Sequence, residues 1–268
     1  MLDIMTQSKN AIEAYEQALK ISNTNITNMT TPGYKKMDVS FQSIFEKVLS
    51  QGTAADGNSG GTNPRQLGQG MAVSSFGIDF SNGDTTTSQK LDMAILGAGL
   101  FVVSANGGNS YLYTRAGNFS IVNGSLVTSS GMQVYGLDGS NALVPITGLD
   151  PSKTASDYQW SGGGELQYTD GTPVGFTIAL TTFSNPNGLA QAQGTTFAET
   201  LASGSPATPS APNASTVGKV QGAAYEKSNV NYYEETIKVA ELQRSISANL
   251  SMVKLASDLI SSFISKLG

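Results

Sequence analysis

From Val239 onward an apolar residue recurs every seven positions: Val239, Ile246, Val253, Ile260 and Leu267. A second series, Leu242, Asn249, Ala256 and Phe263, runs three residues behind it. This a/d heptad pattern puts a narrow apolar seam along one side of a helix and invites supercoiling against a partner. Residues 228–268 contain no Pro, and their only Gly is the last residue. The spacing therefore predicts one helix of about 40 residues, ~60 Å long, well beyond the usual length in a compact domain. At the other end Met5, Ile12, Leu19 and Ile26 are also seven apart. Tyr15 and Met29 occupy two of the +3 positions, Ser8 and Ser22 the other two, and Ala11 and Ala18 flank the seam. Both termini read as amphipathic helices that pair in space. The run Ser22, Asn23, Thr24, Asn25, Thr27 and Asn28 weakens the first helix, because such side chains compete for backbone hydrogen bonds. Thr31-Pro32-Gly33 stops it.

Between the helices the pattern changes. Residues 34–70 are the least regular: Val39, Phe41, Ile44, Phe45, Val48 and Leu49 suggest a short amphipathic element, and 51–64 is a linker by composition. Its glycines lack both the Gly-Lys-Ser/Thr ending of a P-loop and the spacing of a dinucleotide fingerprint. From Met71 apolar residues alternate with period two, as in Phe76, Ile78, Phe80 and again in Leu91, Met93, Ile95. Leu100 to Val103 is a compact apolar run. Asn123-Gly124 joins 119–122 to 125–128 as a hairpin. Val174 to Phe183 reads as the longest strand, 203–215 as a Pro-rich loop, and Val217 to Tyr225 as a last strand. Asn231 is a good N-cap, with Glu234 three residues later. The expected fold is α+β: an all-β domain, sandwich or barrel-like, inserted between N- and C-terminal coiled-coil-type helices. The expected divisions are a helix in 1–30, a linker or extended connecting region in 31–70, the β domain in 71–225 and the second helix in 226–268.

Charge and chemistry narrow the function by exclusion. The net charge is −5, and 13% of residues are charged. No basic face exists for nucleic acid, nor a positive run for anionic membranes. Cys and His are absent, so Cys- or His-based catalysis and His- or Cys-ligated metals are excluded. No run of about 18 apolar residues is present, and the first residues lack the basic and apolar regions of a secretory signal. The expectation is a soluble chain, or one exported without a cleaved signal. No carboxylates fall in a catalytic-pair pattern: Asp84 and Asp138 sit in turn contexts, and Asp92, alternating between Leu91 and Met93, is expected to be solvated. No calcium loop appears. No catalytic residue, metal or cofactor is expected. Arg244, between Leu242 and Ile246, suits either a solvated face or an inter-subunit ion pair with Glu234, Glu235 or Glu241.

Several segments together resemble one family, the bacterial flagellar axial proteins that build rod and hook. Ile21 to Lys35, ending Thr-Pro32-Gly33-Tyr34-Lys35, resembles the family's Asn-rich N-terminal motif, and Phe41 falls where that motif has Phe. Residues 60–70, 79–87 and 91–103 resemble the approach to the β domain and its Leu-Asp-x-Ala-Ile-x-Gly-x-Gly core, with Leu100 in place of a Phe. Tyr113-Thr-Arg-Ala-Gly-Asn-Phe119 follows. Ser228-Asn229-Val230-Asn231 and Gln243-Arg244 are similar to the C-terminal motif. The resemblance implies a homo-polymer: paired terminal helices line a tube, the β domain forms its outer wall, and export runs through the type III apparatus. It implies contacts with rod, hook–filament junction and hook cap proteins, with neither nucleic acid nor membrane insertion, at the hook or basal body outside the cytoplasm. A short hook protein is the first reading and a distal rod protein the second. A secreted adhesive or carbohydrate-binding β module with coiled-coil arms is the reading from another class; it would need a groove at the one Trp, Trp160.

Overall fold

A computed structural model describes residues 2–50, 54, 60–63 and 65–267 of the chain. Much of the stretch expected to be a linker, 51–64, lies outside the described residues. In chain order the elements are α1 (Leu2–Thr27), β1 (Met37–Ser50), β2 (Arg65–Ile78), β3 (Thr85–Thr87), β4 (Met93–Leu96), β5 (Leu100–Ser104), β6 (Leu112–Thr114), β7 (Phe119–Val122) and β8 (Ser125–Thr128). They continue with β9 (Gln133–Leu137), β10 (Leu143–Pro145), β11 (Tyr158–Trp160), β12 (Glu165–Tyr168), β13 (Pro173–Ile178), β14 (Leu180–Thr181), β15 (Ala190–Gln191), β16 (Thr196–Ala198), β17 (Lys219–Gly222), β18 (Ala224–Glu226) and α2 (Tyr232–Leu267). The fold is α+β, with terminal helices flanking a central β region. Two compact units are present: Met1–Ile26, Met37–Gly77 and Tyr232–Gly268 in one, Thr27–Lys36 and Ile78–Asn231 in the other.

The first unit holds both helices and the two-stranded sheet β1–β2. At 36 residues α2 is ~54 Å long. Thr236, Ser247, Asn249 and Ser251 return their side chains to carbonyls four residues back, which satisfies polar groups on a helix this rich in Ser. α1 stops at Thr27, inside the Asn/Thr run. The irregular region expected after it begins instead with 14-residue β1. Met37, Val39 and Phe41 alternate with period two, which suits a strand, and Phe41 meets Tyr15 of α1 edge-on at 5.9 Å. β2 starts at Arg65, ahead of the expected Met71. Lys238 of α2 bonds Asp38 of β1 at 3.1 Å.

The second unit is built on a twelve-stranded sheet with the main path β11-β12-β13-β9-β5-β6-β16-β15, and two separate pairs, β17–β4 and β18–β3. β5 is buried along its whole length. Phe101 and Val103 enter one apolar cluster with Leu91, Met93 and Leu126; Leu100 and Val102 enter the other with Tyr113, Phe183 and Phe197. A run apolar at every position is what a strand covered on both faces requires. The β7–β8 turn has Asn123 at φ 51 and Gly124 at φ 71, the left-handed pair that a two-residue hairpin turn demands. The expected strand Val174 to Phe183 divides at Ala179: β13 pairs with β12 and β9, β14 with β5. The expected last strand divides at Ala223, whose φ is 52. β15 and β16 lie in a segment whose Ala, Ser and Thr content concealed them. Asp92 is not solvated as expected. It is buried, and the Ser88 hydroxyl donates to its carboxylate.

Candidate functional site

The family-like motifs converge on one buried ionic cluster in the second unit. Lys35, in the segment that follows α1, is 2% exposed. Its Nζ donates to Glu226 Oε1 at 2.7 Å and to the Ser81 carbonyl at 2.6 Å. Glu226, fully buried at the end of β18, accepts from Arg115 Nη1 at 3.2 Å and from the Gly83 amide at 2.8 Å. Arg115 also donates from Nη2 to the Gly97 carbonyl at 2.6 Å. Two cations thus share one carboxylate. Burial pushes the Lys35 ammonium below its ordinary pKa, and the adjacent Glu226 partly restores it. Burial likewise lowers that of Arg115, again opposed by Glu226.

Backbone geometry places the cluster. Gly33 donates its amide to the Glu226 carbonyl at 2.8 Å and has φ +67. A Cβ there would lie 2.2 Å from the Ala116 nitrogen, so the Pro-Gly turn admits only glycine. Asn229 closes the other side. Its Oδ1 accepts from Lys36 N at 2.7 Å, and its Nδ2 donates to the Asp79 carbonyl at 2.8 Å. The cluster is a clasp between the segment following α1 and the segment preceding α2, with the loop after β2 as its third side.

The predicted seam residues fall on two kinds of surface in the first unit. Met5, Ile12, Leu19 and Ile26 of α1 are half-buried; the buried stripe beside them is Ser8, Ala11, Ala14, Ala18, Ser22 and Asn25. Asn25, read from the sequence only as a helix weakener, accepts from Met37 N at 3.0 Å and donates to Met37 O at 2.8 Å. On α2, Leu242 and Ala256 are buried, Val239, Ile246, Val253 and Ile260 half-buried, and Phe263 exposed. The side chain of Leu267 is outside the described residues. Met5 and Ile12 share an open groove of about 570 Å³ with Leu250 and Val253. Met252, Leu255, Leu259 and Phe263 form a second, exposed apolar stripe at helical spacing. Gly33, Tyr34 and Lys35 are buried, Pro32, Asn229 and Val230 half-buried, and Asn231, Gln243 and Arg244 exposed.

Glu226 is the residue that sequence reasoning missed. A lone Glu at a strand end carries no local signal, although its partner Arg115 lies in the family-like motif Tyr113-Thr-Arg-Ala-Gly-Asn-Phe119. Trp160 is buried and donates Nε1 to the Leu91 carbonyl at 2.6 Å, so it lines no open groove. Among the described residues no group of three or more acidic side chains is placed to hold a metal, and no helix is long and apolar enough to cross a membrane.

Comparison with known proteins agrees with these motifs. The family model for the flagellar hook protein FlgE/F/G D1 domain matches residues 94–185. The chain is 28% identical to the flagellar basal-body rod protein FlgG of Bacillus subtilis, over 98% of both chains. It is 28% identical to that of Caulobacter vibrioides over 97% of both. It is 34% identical to the flagellar hook protein FlgE of Helicobacter mustelae, over 51% of this chain and 31% of that one.

Proposed function

We propose that this chain, which belongs to the flagellar axial family of rod and hook proteins, is a basal-body rod-type subunit that polymerises into a straight tube. That it is a structural subunit of the rod and hook family follows from the membership. The finer reading as rod rests on one observation: the rod relatives match along nearly their whole length, whereas the Helicobacter mustelae hook protein is matched over 31% of its own. This reverses the order of the two readings drawn from sequence. In the polymer α1 and α2 line the inner wall, and the exposed stripe of Met252, Leu255, Leu259 and Phe263 packs on helices of neighbouring copies. Four half-exposed apolar side chains in one row suit a partner helix better than water. A heterologous contact of this kind extends into a filament when its rotation does not close. The partners are further copies, other axial proteins, and the export apparatus that carries the chain out of the cytoplasm.

Electron microscopy of the purified full-length protein tests this. Straight tubes are expected, and Leu255→Asp with Leu259→Asp should abolish them while leaving the fluorescence of Trp160 unchanged. Curved tubes would favour the hook. A closed oligomer of fixed size would overturn the polymer reading.

A further inference from the structure

The sequence has four Asn-Gly pairs, at Asn82, Asn106, Asn123 and Asn187. In such a pair the glycine nitrogen can attack the asparagine carboxamide, because no Cβ on the following residue obstructs the approach. All four asparagines are exposed, so exposure does not choose among them. Hydrogen bonding does. The Gly83 amide donates to Glu226 Oε1 at 2.8 Å, and Asn82 Oδ1 accepts from Arg115 Nη2 at 3.4 Å. The Gly188 amide donates to the Asn185 carbonyl at 3.1 Å. The Asn106 carboxamide accepts from Ser104 Oγ and Ser110 N and donates to Ser110 Oγ, each at 3.0 Å. At Asn123 neither the carboxamide nor the Gly124 amide has a hydrogen-bond partner among the described residues.

We propose that Asn123 is the site at which the folded chain deamidates, spontaneously, to aspartyl and isoaspartyl forms. The turn geometry supplies the motion that the reaction needs. With φ 51 at Asn123 and 71 at Gly124, the β7–β8 turn is of type I′. The peptide plane between the two residues lies outside the ladder, whose last pair is Val122 with Ser125. A flip of that plane gives the type II′ turn, in which ψ of the first central residue is about −120° and φ of the second is negative. Gly124 admits either sign of φ. At that ψ the Gly124 nitrogen swings to the side of the Asn123 Cβ, where a five-membered ring can close. The Gly124 carbonyl accepts from Leu149 N at 2.9 Å, which anchors the far side of the glycine and leaves the flipping plane alone. In the reaction hydroxide takes the Gly124 amide proton, the nitrogen bonds to Cγ, and the Cγ–Nδ2 bond breaks to release ammonia. Water then opens the succinimide at Cγ to give Asp, or at the main-chain carbonyl to give isoaspartate. Each event adds one negative charge. The isoaspartyl form also adds one backbone atom to a two-residue turn between strands that hold Phe119 and Leu126 in the core.

Each Asn-Gly pair falls in a different tryptic peptide, Asn123 in residues 116–153. Full-length protein is incubated at mildly alkaline pH in heavy-oxygen water, folded and in urea, then digested for mass spectrometry. Every event leaves heavy oxygen in the new carboxylate, and fragmentation assigns its position. In urea all four pairs should react at similar rates, since only the dipeptide is left to set them. In the folded protein Asn123 should stay within about tenfold of its urea rate, and the other three should fall roughly tenfold or more behind it, because each must first break at least one hydrogen bond. Label at Asn82, Asn106 or Asn187 as fast as at Asn123 in the folded protein overturns the proposal. So does an Asn123 rate more than about tenfold lower in the folded protein than in urea, because the turn would then hold its peptide plane fixed.

Discussion

Replacing Lys35 by Met and Glu226 by Gln should have unequal costs, and the clasp geometry sets the order. In Lys35→Met, Nζ is lost from Glu226 and from the Ser81 carbonyl. Glu226 keeps Arg115 Nη1 at 3.2 Å and the Gly83 amide at 2.8 Å, so its charge remains compensated. The loss is then one charge-assisted pair and one carbonyl contact, about 3 kcal/mol, the low end for breaking a buried pair. In Glu226→Gln, a buried ammonium and a buried guanidinium face each other with no counter-charge at the same position. That cost is about 5 kcal/mol or more. The double variant should cost less than the sum, because removing one cation relieves the repulsion that the Gln exposes.

Trp160 is the only Trp and lies in the same unit as the clasp, so urea unfolding followed by its fluorescence reads the relevant transition. At typical slopes a loss of about 3 kcal/mol lowers the midpoint by ~1–2 M urea. The reasoning fails if Glu226→Gln is no worse than Lys35→Met. It also fails if Lys35→Met costs under about 1 kcal/mol, since Lys35 would then not be a partner of a buried charge.

Four further outcomes follow from the same structure. Gly33→Ala should destabilise by about 3 kcal/mol or more in the same urea assay, because its φ of +67 and the Ala116 backbone 2.2 Å from the new Cβ leave the methyl no space. Asn25→Ala should cost about 2 kcal/mol by orphaning both backbone groups of Met37, read as a drop in the thermal midpoint by circular dichroism. In acid, the exposed turn carboxyls of Asp138, Asp150, Asp157 and Asp170 are held below the usual value of 3.8, mainly by hydrogen bonds from Ser140, Ser152, Thr154 and Thr172. Their stabilisation is present above pH 3.8 and is lost as pH falls through the lowered values, so the thermal midpoint should drop below pH 4. In base, burial and then Glu199 push the Tyr113 hydroxyl up to about 12 from 10.0. Its share of stability is intact up to pH 10 and disappears between 10 and 12. Lys35, depressed below 10.5, acts in the opposite sense as pH rises toward that value, so the difference between wild type and Tyr113→Phe isolates the tyrosine.

Features set by neighbours in sequence were legible in the chain. The Asn123-Gly124 turn, the unbroken apolar run of β5 and the heptads of α2 each follow from spacing within a few residues. The clasp was not legible, because Lys35 and Glu226 are 191 residues apart and Arg115 and Glu226 111 apart. Whether a charge is buried depends on which distant charge the topology brings to it. Asp92 was misread for a related reason. Alternation predicts which face a residue takes, but not that Ser88 would be folded over that face to cover it. The same limit applied to β15 and β16, whose Ala and Thr carry little periodicity; β16 is fixed by its pairing with β6 across a large sequence gap.

The first helix shows why a seam read from large apolar residues need not be the buried one. A helix packs closest where its side chains are small, and Ser8, Ala11, Ala18 and Ser22 let the α1 backbone approach its neighbours within the unit. Gly70 shows how close: a Cβ there would sit 3.1 Å from the Gln7 carbonyl oxygen. Gln7 in turn donates its Nε2 to the Gly68 carbonyl at 2.6 Å. Once the small stripe is consumed internally, Met5, Ile12, Leu19 and Ile26 stand on its shoulder, half-buried, and Met5 and Ile12 line a groove shared with α2. Burying a large apolar side chain stabilises by about 1.5–3 kcal/mol, and much of that is still unrealised along this groove and along Met252, Leu255, Leu259 and Phe263. On the polymer reading proposed above, internal packing by small residues leaves the larger apolar surface for contacts between copies. On the same proposal the heptads written into both termini are a pattern for the polymer more than for the single chain. A single-chain helix pair optimised for itself would have placed Ile12 and Leu19 where Ala11 and Ala18 now lie.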